Sequence, residues 1–188
     1  MAYDPRPYWE NRGATYLWES HEGDDERREW IRKIVEQLKP ESVLEVGAGP
    51  GKNFPAFKGV PEPHATDFSE SAIASIPDRM GVLVEWMDSK DLKFPDRSMD
   101  LVVSCAHLVH IPRIENQIDR AIREVCRVTK KHLLIMEFWD PQNLLPVLDP
   151  HCFKHNYPEL ITPHGFITVI QRQLSARIGL FLFRRREL

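Results

Sequence analysis

The chain has 188 residues, 42% hydrophobic and 28% charged, a balance that suits a folded domain with a sizeable core and excludes a disordered chain. Its formal net charge of −3 gives no electrostatic reason to expect a nucleic-acid partner. No apolar run approaches the roughly 20 residues that cross a bilayer, the N-terminus lacks the apolar core of a signal peptide, and three cysteines without C-x-x-C spacing suit a reducing compartment, so a cytoplasmic protein is expected.

Residues 1–23 are rich in aromatics and charges: Tyr3, Tyr8, Trp9, Tyr16 and Trp18 among Arg6, Glu10, Arg12 and Glu19. This segment reads either as an arm docked by its aromatics or as a lid over a ligand site. Asp24-Asp25-Glu26 then opens a helix, with acids at its positive end and Trp30, Ile31, Ile34, Val35 and Leu38 at helical spacing. Pro40 stops it, and Ser42–Val46 is the first strand. A turn with three glycines follows, then a short helical stretch near Asn53–Phe57.

Pro61-Glu62-Pro63 reads as a turn, His64–Asp67 as a second strand, and Ser69 as the cap of a helix over Glu70–Ile76. Val82–Trp86 and Met99–Ser104 are the third and fourth strands; the continuous apolar character of the fourth suits burial on both faces. Pro112–Val128 is an amphipathic helix, and His132–Phe138 the fifth strand. Residues 139–165 are irregular, with a short helix expected around His155–Ile161, and Phe166–Leu174 and Ala176–Phe183 form a terminal hairpin. Strands alternating with helices imply a Rossmann-like α/β fold: a mostly parallel seven-stranded sheet, helices on both faces, and an antiparallel C-terminal hairpin. The whole of 1–188 is expected to be one domain: an arm or lid (1–23), a cofactor-binding core (24–138), and an acceptor-side loop with the hairpin (139–188).

In such a sheet, ligands bind beyond the carboxyl ends of the strands. Acidic residues stand at three of those ends. Glu45 precedes the turn Gly47-Ala48-Gly49-Pro50-Gly51, whose glycines let the backbone approach a ligand and the next helix pack closely. Asp67 lies 20 residues beyond Gly47, the offset at which an acid can accept both ribose hydroxyls. Asp88, after the third strand, can accept from an adenine amino group, and Ser89 beside it can offer its backbone N–H to a ring nitrogen. The turn is G-x-G-x-G, one residue short of the dinucleotide fingerprint, and Gly51-Lys52 is followed by Asn53, which breaks the P-loop pattern.

These motifs resemble the class I S-adenosylmethionine-dependent methyltransferases, particularly the small ones often labelled type 11. Glu45–Gly51 matches their first motif, and Thr66-Asp67-Phe68-Ser69 is similar to their second. Residues 88–95 followed by Ser98–Val102 are similar to the stretch from adenine loop to fourth strand, and Arg123–Val128 to the helix before the fifth. The resemblance covers residues 24–138 and implies S-adenosylmethionine as cofactor, held by Glu45, Gly47, Gly49, Gly51, Asp67, Phe68, Asp88, Ser89 and Ser104. It also implies methyl transfer by in-line displacement, with His107 and His110 near the methyl group as candidate bases. His110 reads equally as a structural residue at a helix start. His151 and His155 have the i, i+4 spacing of metal ligands but lack an apparent third partner, so no metal is expected.

The expected function is methyl transfer to a small-molecule acceptor, without nucleic acid or membrane. The short, irregular acceptor region keeps open a non-catalytic cofactor-binding or scaffold subunit. A nicotinamide-dependent oxidoreductase is the third reading, disfavoured by the glycine spacing.

Overall fold

The structure, a computed structural model, describes residues 4–16, 24–140, 142 and 150–187. Tyr3, Trp18 and Glu19 of the expected arm lie outside the described residues, as does much of the irregular stretch after residue 140.

Seven strands form one mixed sheet in the order β3-β2-β1-β4-β5-β7-β6. β1 (Ser42–Val46), β2 (Glu62–Asp67), β3 (Leu83–Trp86), β4 (Met99–Cys105) and β5 (Thr129–Phe138) are parallel neighbours. β7 (Ile178–Arg185) inserts antiparallel between β5 and β6 (Phe166–Gln173), giving the expected hairpin. The helices are α1 (Arg6–Tyr16), α2 (Asp24–Leu38), α3 (Glu70–Ala74), α4 (Gln117–Val128) and α5 (Tyr157–Ile161).

The period-two alternation of strand side chains splits the core between the two faces. Leu44, Val46, Val102, Leu133 and Ile135 pack with Ile118, Ile122 and Val125 of α4 and with Tyr157 of α5. Val43, Leu101, Val103, Leu134 and Met136 pack with Ile31, Ile34 and Val35 of α2 and with Phe54 and Phe57. The central strands β1 and β4 are buried nearly throughout, as their apolar sequences require.

Several boundaries differ from the sequence expectation, most by one or two residues. Glu62 and Pro63 belong to β2 rather than to a turn, paired with Ser42 and Val43 of β1. The missing N–H of Pro63 is tolerated because β3 pairs with β2 only from His64 onward. The helix expected from Pro112 starts at Gln117, because Glu115 (φ 52°) and Asn116 (φ 56°) take the left-handed conformation and break the helical path. β5 begins at Thr129, directly after α4, so no loop separates the two. The stretch near Asn53–Phe57 is a 3-10 turn over Phe54–Phe57.

Candidate active site

The glycine turn folds back onto β2. The N–H groups of Gly47 and Ala48 both donate to Thr66 O, at 2.8 and 3.0 Å. Gly47 has φ +72°, and a Cβ there would collide with the His107 ring. Gly51, at φ +77°, serves packing instead: its missing side chain makes room for Phe54, whose ring would lie 2.7 Å from a Cβ.

A cavity of about 550 Å³ opens over this turn. Glu45, Gly47, Gly49, Asp67, Phe68, Asp88, Ser89, His107 and His110 all line it. Thus nine of the eleven residues singled out in the sequence share one cavity, although they come from four separate stretches of chain. Gly51 and Ser104 are not among the residues that line it.

Glu45 is buried, and burial pushes its carboxyl up to about 8, against the hydrogen bond from Asn53 that favours the charged form. Asn53 Nδ2 donates to Oε1 at 2.7 Å, and Oε2 has no partner among the described residues. Around this end of the cavity stand Asp24, Arg27, Arg28 and Lys52. Arg27 pairs with Asp24, Lys52 Nζ lies 3.3 Å from Asp24, and Arg28 Nε donates to Lys52 O at 2.8 Å.

Asp67 accepts from Gly49 N–H through Oδ2 and from Ser69 N–H through Oδ1, both at 2.8 Å. Burial raises its pKa, and these backbone bonds oppose the rise. Trp86 Nε1 donates to Phe68 O at 2.8 Å and fixes the backbone beside it. Asp88 accepts from Lys90 N–H at 2.9 Å, and its other oxygen lies 3.3 Å from Lys90 Nζ.

His107 is buried with both ring nitrogens engaged: Nδ1 lies 3.3 Å from Ser104 Oγ and Nε2 3.1 Å from Ser89 Oγ. Burial pushes its pKa down to about 3, so the ring is neutral. His110 differs. Its Nδ1 lies 3.0 Å from the carbonyl oxygen of His151, which can only accept, so Nδ1 carries the proton and Nε2 is the basic nitrogen. Among the described residues no group of His, Cys, Asp and Glu side chains is arranged to hold a metal. His155 instead bonds Ile111 O through Nε2 at 2.9 Å, while His151 stacks on Tyr8.

The N-terminal segment also lines the cavity, through Asp4, Pro5, Arg6, Trp9 and Gly13. The Glu10 carboxylate of α1 accepts from the N–H groups of Glu70 at 2.9 Å and Ser71 at 3.1 Å, satisfying two donors at the start of α3. Trp9 meets the His110 ring edge-on at 4.5 Å. α1 thereby bridges the two sides of the cavity.

Sequence reasoning missed Arg27, Asn53 and Glu137. Glu137 carried a usable signal, an acid near the carboxyl end of a strand, as at Glu45 and Asp67. Arg27 is hidden among the many charges of α2, and Asn53 is visible in the sequence only as the residue that breaks a P-loop pattern.

Residues 43–132 match the family model of the methyltransferase domain. The similarity to that domain spans just under half of the chain. No curated protein sequence matches the chain. Among solved structures, the chain resembles magnesium protoporphyrin IX methyltransferase from Synechocystis with bound S-adenosylhomocysteine (TM-score 0.74, 14% identity, 96% of this chain and 98% of that one). It also resembles a SAM-dependent methyltransferase from Aquifex aeolicus (TM-score 0.69, 15% identity, 98% and 100%) and the [4+2]-cyclase SpnF (TM-score 0.69, 15% identity, 84% and 80%). These likenesses show the fold. Among the described residues no helix is long and apolar enough to cross a membrane.

Proposed function

We propose that the cavity over the glycine turn holds S-adenosylmethionine and that the protein transfers the methyl group to a small-molecule acceptor. The observation that carries this reading is Glu45 Oε2, a buried carboxyl oxygen without a partner among the described residues, on a side chain that lines the cavity with Asp67 and Asp88. An orphaned buried acceptor costs free energy unless a ligand donor meets it. The α-ammonium of an amino-acid moiety is such a donor, and Arg27 and Lys52 at the same end suit the accompanying carboxylate. Asp67 retains lone pairs for ribose hydroxyls beyond its two backbone bonds. Phe68, Asp88 and Ser89 supply the walls of the base pocket.

The bound cofactor supplies a methyl group on a positive sulfur, an electrophile that needs no further activation. The chain's own residues must then orient the acceptor and, for a protonated nucleophile, take its proton. His110 suits that task, because its proton is directed to the His151 carbonyl and its basic nitrogen is Nε2. His107 suits it poorly, since burial holds its pKa near 3 and both nitrogens are occupied. Trp9 covers His110 and supports the reading of α1 as a lid.

Titration of the purified protein with S-adenosylmethionine and S-adenosylhomocysteine tests the cofactor, and a radiolabelled-methyl assay over an acceptor panel tests the transfer. Cofactor binding without turnover across a broad panel would move the protein to the non-catalytic reading.

A further inference from the structure

Glu137, near the end of β5, is fully buried and surrounded by donors. Its Oε1 accepts from Ser104 Oγ at 2.9 Å, His107 N–H at 3.0 Å and Leu108 N–H at 2.9 Å, and Oε2 accepts from Val109 N–H at 3.2 Å. Burial raises the Glu137 pKa, but the bonds from three backbone N–H groups and Ser104 Oγ favour its charged form, and in that form both carboxylate oxygens only accept.

The order of protons beyond it follows by elimination. The Ser104 hydroxyl hydrogen is used on Glu137, so the contact from Ser104 Oγ to His107 Nδ1 requires Nδ1–H as donor. A neutral imidazole protonated at Nδ1 has Nε2 as its acceptor, so the Ser89 hydroxyl hydrogen points inward to Nε2. Ser89 lines the cavity beside Asp88, and its hydroxyl keeps only lone pairs to offer there. The titratable groups near the ring are His110, Asp88 and Lys90, and none displaces a member of this chain.

We propose that Glu137, Ser104, His107 and Ser89 form a proton-ordered chain that holds His107 in the Nδ1–H tautomer and makes the Ser89 hydroxyl an acceptor-only contact for the purine of the cofactor. Such a contact accepts the exocyclic amino group of adenine and opposes the oxo group of hypoxanthine, where two acceptors would face each other. Ser89 is then a specificity residue, and Glu137, Ser104 and His107 are positioning residues that act through it. This inference rests on the S-adenosylmethionine reading of the cavity.

Two measurements on the full chain test it. Long-range proton–nitrogen correlation on histidine-labelled protein without ligand reads the tautomer. The expected signature is Nδ1–H at His107, lost or mixed with the other tautomer in Ser104→Ala, which leaves the backbone bonds to Glu137 in place. An Nε2–H signature in the wild type overturns the proposal. Calorimetric titration with S-adenosylhomocysteine and S-inosylhomocysteine reads the selection. Ser89→Ala should narrow the adenine preference about tenfold and Ser104→Ala several-fold, while Ser89→Thr, which keeps the hydroxyl, retains it. An unchanged preference in Ser89→Ala overturns the proposal. Failure of the wild type to bind S-adenosylhomocysteine would overturn the cofactor reading, and the tautomer would still decide the order of the chain.

Discussion

Asn53 Nδ2 donates to Glu45 Oε1 at 2.7 Å and leaves Glu45 Oε2 alone in a buried wall. The pair ties the strand before the glycine turn to the residues after it, and by our reading it leaves the second oxygen for the ligand. Because burial pushes the Glu45 carboxyl up to about 8, the side chain is largely protonated at neutral pH without ligand. A cationic group at Oε2 favours the charged form, so cofactor binding near pH 7 should release a proton and above about pH 9 should not. Calorimetry in buffers of different ionisation enthalpy measures this release. Glu45→Gln should abolish it and weaken S-adenosylhomocysteine by about 1–3 kcal/mol. Stability carries the opposite sign. The unfolded Glu45 ionises near 4.5 and the folded one near 8, so the wild type should lose stability relative to Glu45→Gln as pH rises through that window.

Asp67 has two tasks. It accepts from Gly49 and Ser69 in the protein and, by our reading, from the ribose in the complex. Asp67→Ala should weaken S-adenosylhomocysteine by about 1–3 kcal/mol and also lower the thermal midpoint without ligand, since two backbone donors lose their acceptor. Unchanged affinity would remove Asp67 from the ligand site, whatever happens to the midpoint.

Gly47 is fixed by sterics as well as by conformation. A methyl group there meets the His107 ring, and the positive φ is strained for any residue with a Cβ. Gly47→Ala should therefore cost about 1–3 kcal/mol of stability and displace the loop that carries His107. Thermal or urea unfolding checks the cost. Gly49, where a Cβ would meet nothing within 4 Å, should tolerate alanine better in the absence of ligand.

The parts of this site that the sequence made legible are those that a single stretch of chain creates. Val43–Val46 and the glycines read as strand and turn because alternation, β-branching and glycine spacing are local. Asp67 and Asp88 were legible because a parallel sheet brings its carboxyl ends together, so an acid after each strand could be placed without coordinates. Two strand boundaries failed for a tertiary reason: Glu62 and Pro63 are ordered by their pairing with Ser42 and Val43, and Thr129 by its pairing with Met99, which local propensity does not contain. The start of α4 failed because nothing in the sequence marks Glu115 and Asn116 as left-handed. The hydrogen bonds of His107 were illegible, since Ser89, Ser104 and Glu137 converge only in the folded sheet.

The N-terminal helix provides a prediction about dynamics. Glu10 satisfies two donors of α3, and although burial opposes it, the bonds from Ser71 and Glu70 hold its carboxyl below the usual range. Glu10→Ala should unlatch α1 and raise amide hydrogen exchange across residues 6–16 while leaving exchange in the core strands unchanged. If α1 is a lid, the same substitution speeds dissociation of S-adenosylhomocysteine. A docked arm without a lid function would show faster exchange and an unchanged dissociation rate.

The most direct test of the cofactor reading is calorimetric titration of the purified chain with S-adenosylhomocysteine, run beside Glu45→Gln and Asp67→Ala. The expected result is one site per chain, weakened in both variants. Absence of binding by the wild type would contradict the reading, as would binding that both variants leave intact.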